Sequence, residues 1–322
     1  MSAPLETAMP GALETTTRAA SETAMPGALE TTTRAASETA MPGALETTTR
    51  AASETATPGA LETAMRGAGR PRLVPYVTGG ITADWTRYLL ACQAGGADAV
   101  ELGLPFSDPM LDGVTIQRAS DQALARGATV EKILTDLTSV RDQLTVPVVV
   151  MTYANLVVHA GATAFCRRLA AAGVTGLIVP DLPVDELGEL EPAAARSGID
   201  LVLLVAPSTP AARIRQICAR SRGFVYAVST MGPTGERDTL DGRAVVLAAN
   251  ARDAGGPPVL IGFGVSTPAQ AARAAGAADG VVVASALVRE VLDGATPERL
   301  RQVVAGFRAA LDATRLRGTT SR

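Results

Sequence analysis

The chain is poor in the residues that most often carry chemistry. Lys132 is its only lysine and His159 its only histidine, cysteine occurs three times, and aromatic residues make up 3% of 322 positions. One lysine, mid-helix in "TVEKILTDL", argues against an imine mechanism, which needs an amine at a site. One histidine cannot furnish the several imidazoles of a typical catalytic metal site, nor is it placed to activate a serine or cysteine nucleophile. Cys92, Cys166 and Cys218 are scattered without C-x-x-C spacing, which reads as three buried, reduced thiols in a cytoplasmic protein. The N-terminus shows neither the basic nor the apolar region of a signal peptide. The longest apolar runs, "LVLLVA" and "GVVVASALV", fall well short of the roughly 18–20 residues of a membrane helix. A basic excess is missing too. Residues 1–70 hold eight Glu and five Arg, and the remainder 24 acidic and 24 basic residues, so no nucleic-acid face is implied.

What is present begins with a repeat. "MPGALETTTRAASETA" starts at Met9 and recurs at Met25 and Met41 before decaying after Thr57. Through Arg70 there is no Val, Ile, Phe, Tyr or Trp, so little apolar area can offset the entropy of ordering. The expectation is a low-complexity, disordered tail over residues 1–70 and a catalytic domain over 71–322. The tail is a partner-binding arm, or the product of in-frame duplication or of an early start codon.

From residue 72 short β-branched runs alternate with Ala/Leu/Arg-rich helical stretches, the pattern of βα units on a parallel sheet. Eight strands are predicted: 73–78, 99–104, 146–153, 176–182, 201–206, 224–230, 258–264 and 280–286. Eight units in about 250 residues is the size of a (β/α)8 TIM barrel. The alternative, an open doubly wound sheet, normally carries a Gly-rich fingerprint after its first strand, and "TGGITAD" is not one.

Barrel active sites lie at the C-terminal strand ends. There the sequence offers Tyr76, Glu101, Asp112, Tyr153, Asn155, Asp181, Tyr226, the loop "STMGPTGERD" (229–238), "GFGVS" (262–266) and "ASA" (284–286). A glycine turn after strand seven and a small or hydroxyl residue opening the helix after strand eight is how barrels cradle phosphate, so Gly264 and Ser285 are candidate ligands. Read alone, they are also ordinary turn and N-cap residues. With lysine and histidine chemistry set aside, acid–base catalysis by carboxylates remains, and Glu101 and Asp112 are the best-placed pair. Glu101, between Val100 and Leu102 on a strand, is expected to be desolvated and raised in pKa. Asp112, on a more solvated loop, is expected to stay ionised, and Asp108 in "SDP" reads as a turn residue.

These residues carry a family likeness. "ELGLPFSDPMLDGVTIQ" resembles the signature of the tryptophan synthase alpha chain family, and "VPYVT", "MTYANLV", "PDLP", "RGFVYAVSTMGPTG", "IGFGVS" and "VVVASALV" resemble its other strand ends, in order, from about residue 73 onward. The resemblance implies retro-aldol cleavage of indole-3-glycerol phosphate to indole and glyceraldehyde 3-phosphate, with no cofactor and no metal. It implies Glu101 as the proton shuttle and Asp112 as the partner of the indole N–H. It also implies that Tyr226 contacts substrate, that Thr234 and Gly235 close over Asp112, that Gly264 and Ser285 bind phosphate, and that Tyr76, Ile116 and Tyr153 wall the indole pocket. A tryptophan synthase beta chain, in an alpha2-beta2 heterotetramer contacted partly through residues 105–112, is the implied partner. A stand-alone lyase releasing free indole would share every catalytic residue, and a degenerate barrel binding only phosphate would share the turns at strands seven and eight. Four positions depart from the family pattern: Val114 for proline, Ala284 for glycine, Phe224 for tyrosine, and no Asp-Pro after strand one.

Overall fold

The eight β-branched runs become eight parallel strands: β1 Arg72–Thr78, β2 Val100–Gly103, β3 Val148–Met151, β4 Val174–Ile178, β5 Asp200–Val205, β6 Val225–Val228, β7 Val259–Gly262 and β8 Gly280–Val283. They pair in chain order and close β8 onto β1, giving the predicted TIM barrel with helices around it. The computed structural model describes residues 58–67, 69–228, 242–262 and 264–318. Of the disordered tail expected over residues 1–70, residues 1–57 and 68 lie outside the described residues. No helix among the described residues is long and apolar enough to cross a membrane.

Strand periodicity sorts the side chains into two cores. Val74, Val149, Ile178, Val202, Leu260 and Val282 fill the barrel interior, while Leu73, Val100, Leu102, Val148, Val150, Val281 and Val283 pack outward with the helices. The register pairs Glu101 with Tyr76 on β1 and with Val149 on β3. Glu101 therefore points inward between two outward apolar neighbours, and a one-residue slip would expose it on the wrong face. Lys132 is exposed on the helix Val130–Val140, where its Nζ donates to the Gly127 carbonyl. His159 is exposed on the helix Ala154–Ala160, and the three cysteines are buried and free.

The expected boundary at residue 70 needs correction. Ala60–Arg66 is a helix whose Leu61 and Met65 are 0% exposed within the barrel-interior core. The earlier repeat copies read "GALETTTR", but this last one reads "GALETAMR", which puts Leu61 and Met65 four residues apart on one helical face. Glycines at the receiving end make room: a Cβ on Gly176 would sit 2.6 Å from Leu61 Cδ2. The helix start is held by Asp200, whose Oδ2 accepts from the Glu62 N–H at 2.9 Å, and its end by Arg72, whose Nε donates to the Met65 carbonyl at 2.7 Å. A tail composition conceals this segment because residues that receive it, Gly176 and Asp200 among them, lie more than a hundred residues away in sequence.

Candidate active site

Glu101 is 1% exposed, and its Oε2 has no hydrogen-bond partner among the described residues. An unpaired carboxylate oxygen at this depth is costly in ionised form. Burial first, and the Asp112 charge second, push its pKa from the ordinary carboxylate range up to about 8. The group is thus a neutral acid at pH 7, deeper than the partial desolvation its sequence suggested.

Asp112 comes from the loop between β2 and the helix Val114–Ala125. Its backbone N–H donates to the Pro109 carbonyl at 3.3 Å, and Gln117 Nε2 donates to the Asp112 carbonyl at 2.8 Å, so the helix reaches back and pins the loop. The expectation of a well-solvated carboxylate is corrected. Burial pushes Asp112 up to about 6, against a hydrogen bond from Tyr153 that lowers it. It stays mostly ionised at pH 7. Asp108 is exposed and accepts from the Ser107 hydroxyl at 2.6 Å, outside the site. Val114, where the family has proline, is the first residue of its helix and 69% exposed. The N1 position tolerates proline because its N–H is unpaired in any case, so valine forfeits only pre-set backbone.

A narrow cavity brings most of the expected residues together. Tyr76, Glu101, Asp112, Ile116, Tyr226, Gly264 and Ser285 all line it. Gly264 has φ +78, a left-handed backbone that favours glycine. Ser285 opens the helix Ser285–Leu292 after Ala284, so the unpaired N–H groups of that helix start face one end of the site. Ala284 has φ −114, a conformation any residue adopts, so the methyl that replaces the family's glycine brings no backbone strain. Tyr76 and Tyr226 are held protonated chiefly by burial, which raises both well above the usual phenol range.

Three expected residues are not among those lining the described cavity. Thr234 and Gly235 lie outside the described residues. Tyr153 sits behind Asp112 rather than on the cavity wall: its hydroxyl donates to Asp112 Oδ2 and its ring stacks on Phe106. Val265 and Ser266 of the "GFGVS" turn also line the cavity, as do Met151 and Val282, which sequence reasoning missed. Met151, two residues beyond inward-facing Val149, was accessible to the same period-two argument. Asp181 was seen as a strand-end acid, but its Oδ1 accepts from the Ala154 N–H at 2.9 Å and so holds a helix start. Beyond Asp112 and Met151 the cavity adjoins a larger apolar cleft of about 510 Å³ bounded by Met110, Leu111, Val179 and Pro183.

Comparison with known proteins agrees with this geometry. Residues 63–314 match the family model described as tryptophan synthase alpha chain. The tryptophan synthase alpha chain of Halorhodospira halophila is 46% identical over 254 residues, covering 77% of this chain and 93% of that protein. That of Synechococcus sp. (strain CC9902) is 46% identical over 229 residues, covering 69% and 84%. Among solved structures, Mycobacterium tuberculosis tryptophan synthase superposes with a TM-score of 0.71 at 38% identity, covering 78% of this chain and 96% of that one. The Legionella pneumophila subunit alpha superposes at 0.72 with 28% identity, covering 80% and 100%. With the family match spanning the barrel and beginning inside the helix that plugs it, this chain belongs to the tryptophan synthase alpha chain family.

Proposed function

We propose that this chain is the alpha subunit of a tryptophan synthase, a lyase that cleaves indole-3-glycerol phosphate to indole and glyceraldehyde 3-phosphate. The observation that carries the chemistry is the buried Glu101 carboxyl, whose Oε2 has no hydrogen-bond partner among the described residues and which faces the same cavity as Asp112. Neutral Glu101 gives its proton to indole C3, which becomes tetrahedral and leaves a positive C=N⁺ in the ring. Ionised Asp112 accepts the indole N–H and stabilises that charge. The Glu101 carboxylate then takes the proton of the hydroxyl on the carbon attached to C3. That carbon becomes the aldehyde of glyceraldehyde 3-phosphate, the C–C bond breaks, and its electron pair restores the indole. Glu101 is protonated again at the end: the proton it gave remains on indole C3, and the hydroxyl proton replaces it. The C=N⁺ serves as the electron sink a lysine imine provides elsewhere, which fits a chain with one lysine on an outer helix.

The substrate phosphate is assigned to the turn at Gly264 and the helix start at Ser285, the indole to the walls formed by Tyr76, Ile116 and Tyr226. The partner is assigned to the face carrying Met110 and Val114, which are 80% and 69% exposed on the segment that also carries Asp112; apolar side chains so exposed together mark an interaction surface. The test is indole release from indole-3-glycerol phosphate by the full chain with and without a tryptophan synthase beta chain. Slow release that rises when the beta chain is added supports the subunit assignment. A high rate that the beta chain leaves unchanged overturns it, and no release in either condition overturns the lyase.

A further inference from the structure

Tyr153 stands two residues past the end of β3 and occupies the N-cap position of the helix Ala154–Ala160, so its backbone belongs to the barrel scaffold. The hydrogen bonds and ring stacking of its side chain, however, are made with the loop after β2. The ring stacks on Phe106 with centroids 5.1 Å apart. The hydroxyl accepts from the Leu111 N–H at 3.1 Å and donates to Asp112 Oδ2 at 3.1 Å. One residue on a rigid strand end thus grips the loop at three points, the last being the carboxylate assigned to the indole nitrogen.

Resting on the function proposed above, we infer that Tyr153 is a positioning residue for the cleavage. Its hydroxyl fixes where the Asp112 carboxylate sits and keeps it ionised, and its ring anchors the loop, without touching substrate. The phenol is a constant donor, because burial and the facing Asp112 carboxylate raise its pKa. The hydrogen bond acts on Asp112 in the opposite sense to burial, lowering its pKa. The other titratable groups around the pair are Glu101 on β2, Tyr76 on β1, Tyr226 on β6 and Asp181 after β4. The acids among them disfavour a second negative charge, which leaves Tyr153 as the group that favours ionised Asp112.

The test is Tyr153→Phe in the full chain, which keeps the ring and its stack and deletes the hydroxyl. Steady-state indole formation from indole-3-glycerol phosphate is followed between about pH 5.5 and 8.5. We expect kcat to fall by about tenfold or more near pH 6 and by less near pH 7.5, because the acid limb moves to higher pH. KM changes by less than about threefold, since the hydroxyl binds the enzyme's own carboxylate. In an Asp112→Asn background the same change adds no further loss, as expected of two residues acting as one unit. If Tyr153→Phe does not fold, Phe106→Leu keeps the hydroxyl, weakens the anchor, and is expected to move the acid limb the same way by a smaller amount. An unmoved acid limb, a loss expressed in KM, or losses that multiply in the double variant overturn the inference while leaving the lyase standing. A wild type that forms no indole at any pH overturns the proposed function, and this inference with it.

Discussion

Tyr76 occupies the space in which a side chain at Gly103 would have to lie: a Cβ on Gly103 would overlap the Tyr76 hydroxyl. The two residues are on neighbouring strands at the rim of the cavity, and Gly262 stands in the same relation to Tyr226. Two glycines at strand ends thus create the slots in which two aromatic walls rest.

Gly103→Ala is accordingly expected to displace Tyr76 toward Glu101. Overpacking of this kind costs about 1–3 kcal/mol, and the displaced ring intrudes on the cavity. Thermal unfolding and kcat/KM for indole release check it. A melting temperature and activity both equal to wild type would show that Tyr76 has room to move aside.

The helix Ala60–Arg66 is expected to behave as part of the barrel. Leu61→Ala removes a fully buried side chain from the barrel interior and should destabilise by about 2–5 kcal/mol in denaturant unfolding. A loss below about 0.5 kcal/mol, typical of exposed sites, would return the segment to the tail.

The burial of Glu101 has a stability signature. Its pKa is about 8 in the folded chain, against an ordinary 4.5, so between those values the native state keeps a proton that the unfolded chain has released. Stability therefore falls as pH rises through that window, by about 1.4 kcal/mol per pH unit for one group, and levels off above pH 8. Asp112 adds the same sign between 3.8 and about 6. Glu101→Gln removes the larger part. Its unfolding free energy should match wild type near pH 4.5 and exceed it near pH 8.5, and a difference independent of pH would refute the assignment.

Much of this was legible in the sequence for identifiable reasons. The strands announced themselves because fully buried parallel strands read as β-branched runs, and the inward placement of Glu101 followed from the period of two. The helix at 60–66 was hidden because Leu61 and Met65 acquire meaning only from Gly176 and the rest of the interior that receives them. The pocket-wall role of Tyr153 is an implication of the family resemblance; the sequence does not show the fold of residues 105–112, which decides what its hydroxyl meets. The burial of Asp112 depends on the same loop, and so its raised pKa could not be read from a Gly/Pro-rich turn.

The opposed protonation states predict a bell-shaped pH dependence. Cleavage needs Glu101 protonated and Asp112 ionised, so the coupled pair should show apparent limbs near 6 and 8 in kcat/KM for indole release. A rate still rising above about pH 9 would mean that neutral Glu101 is not the acid.

The central claim is that the buried Glu101 carboxyl gives a proton to indole C3 and takes one from the hydroxyl on the carbon attached to it. Indole release from indole-3-glycerol phosphate at pH 7, comparing Glu101→Gln with wild type, tests it most directly. The amide keeps the shape and cannot transfer the proton, and loss of general acid–base catalysis should lower kcat by about 10²–10⁴-fold. A Glu101→Gln chain that releases indole at the wild-type rate would contradict the account.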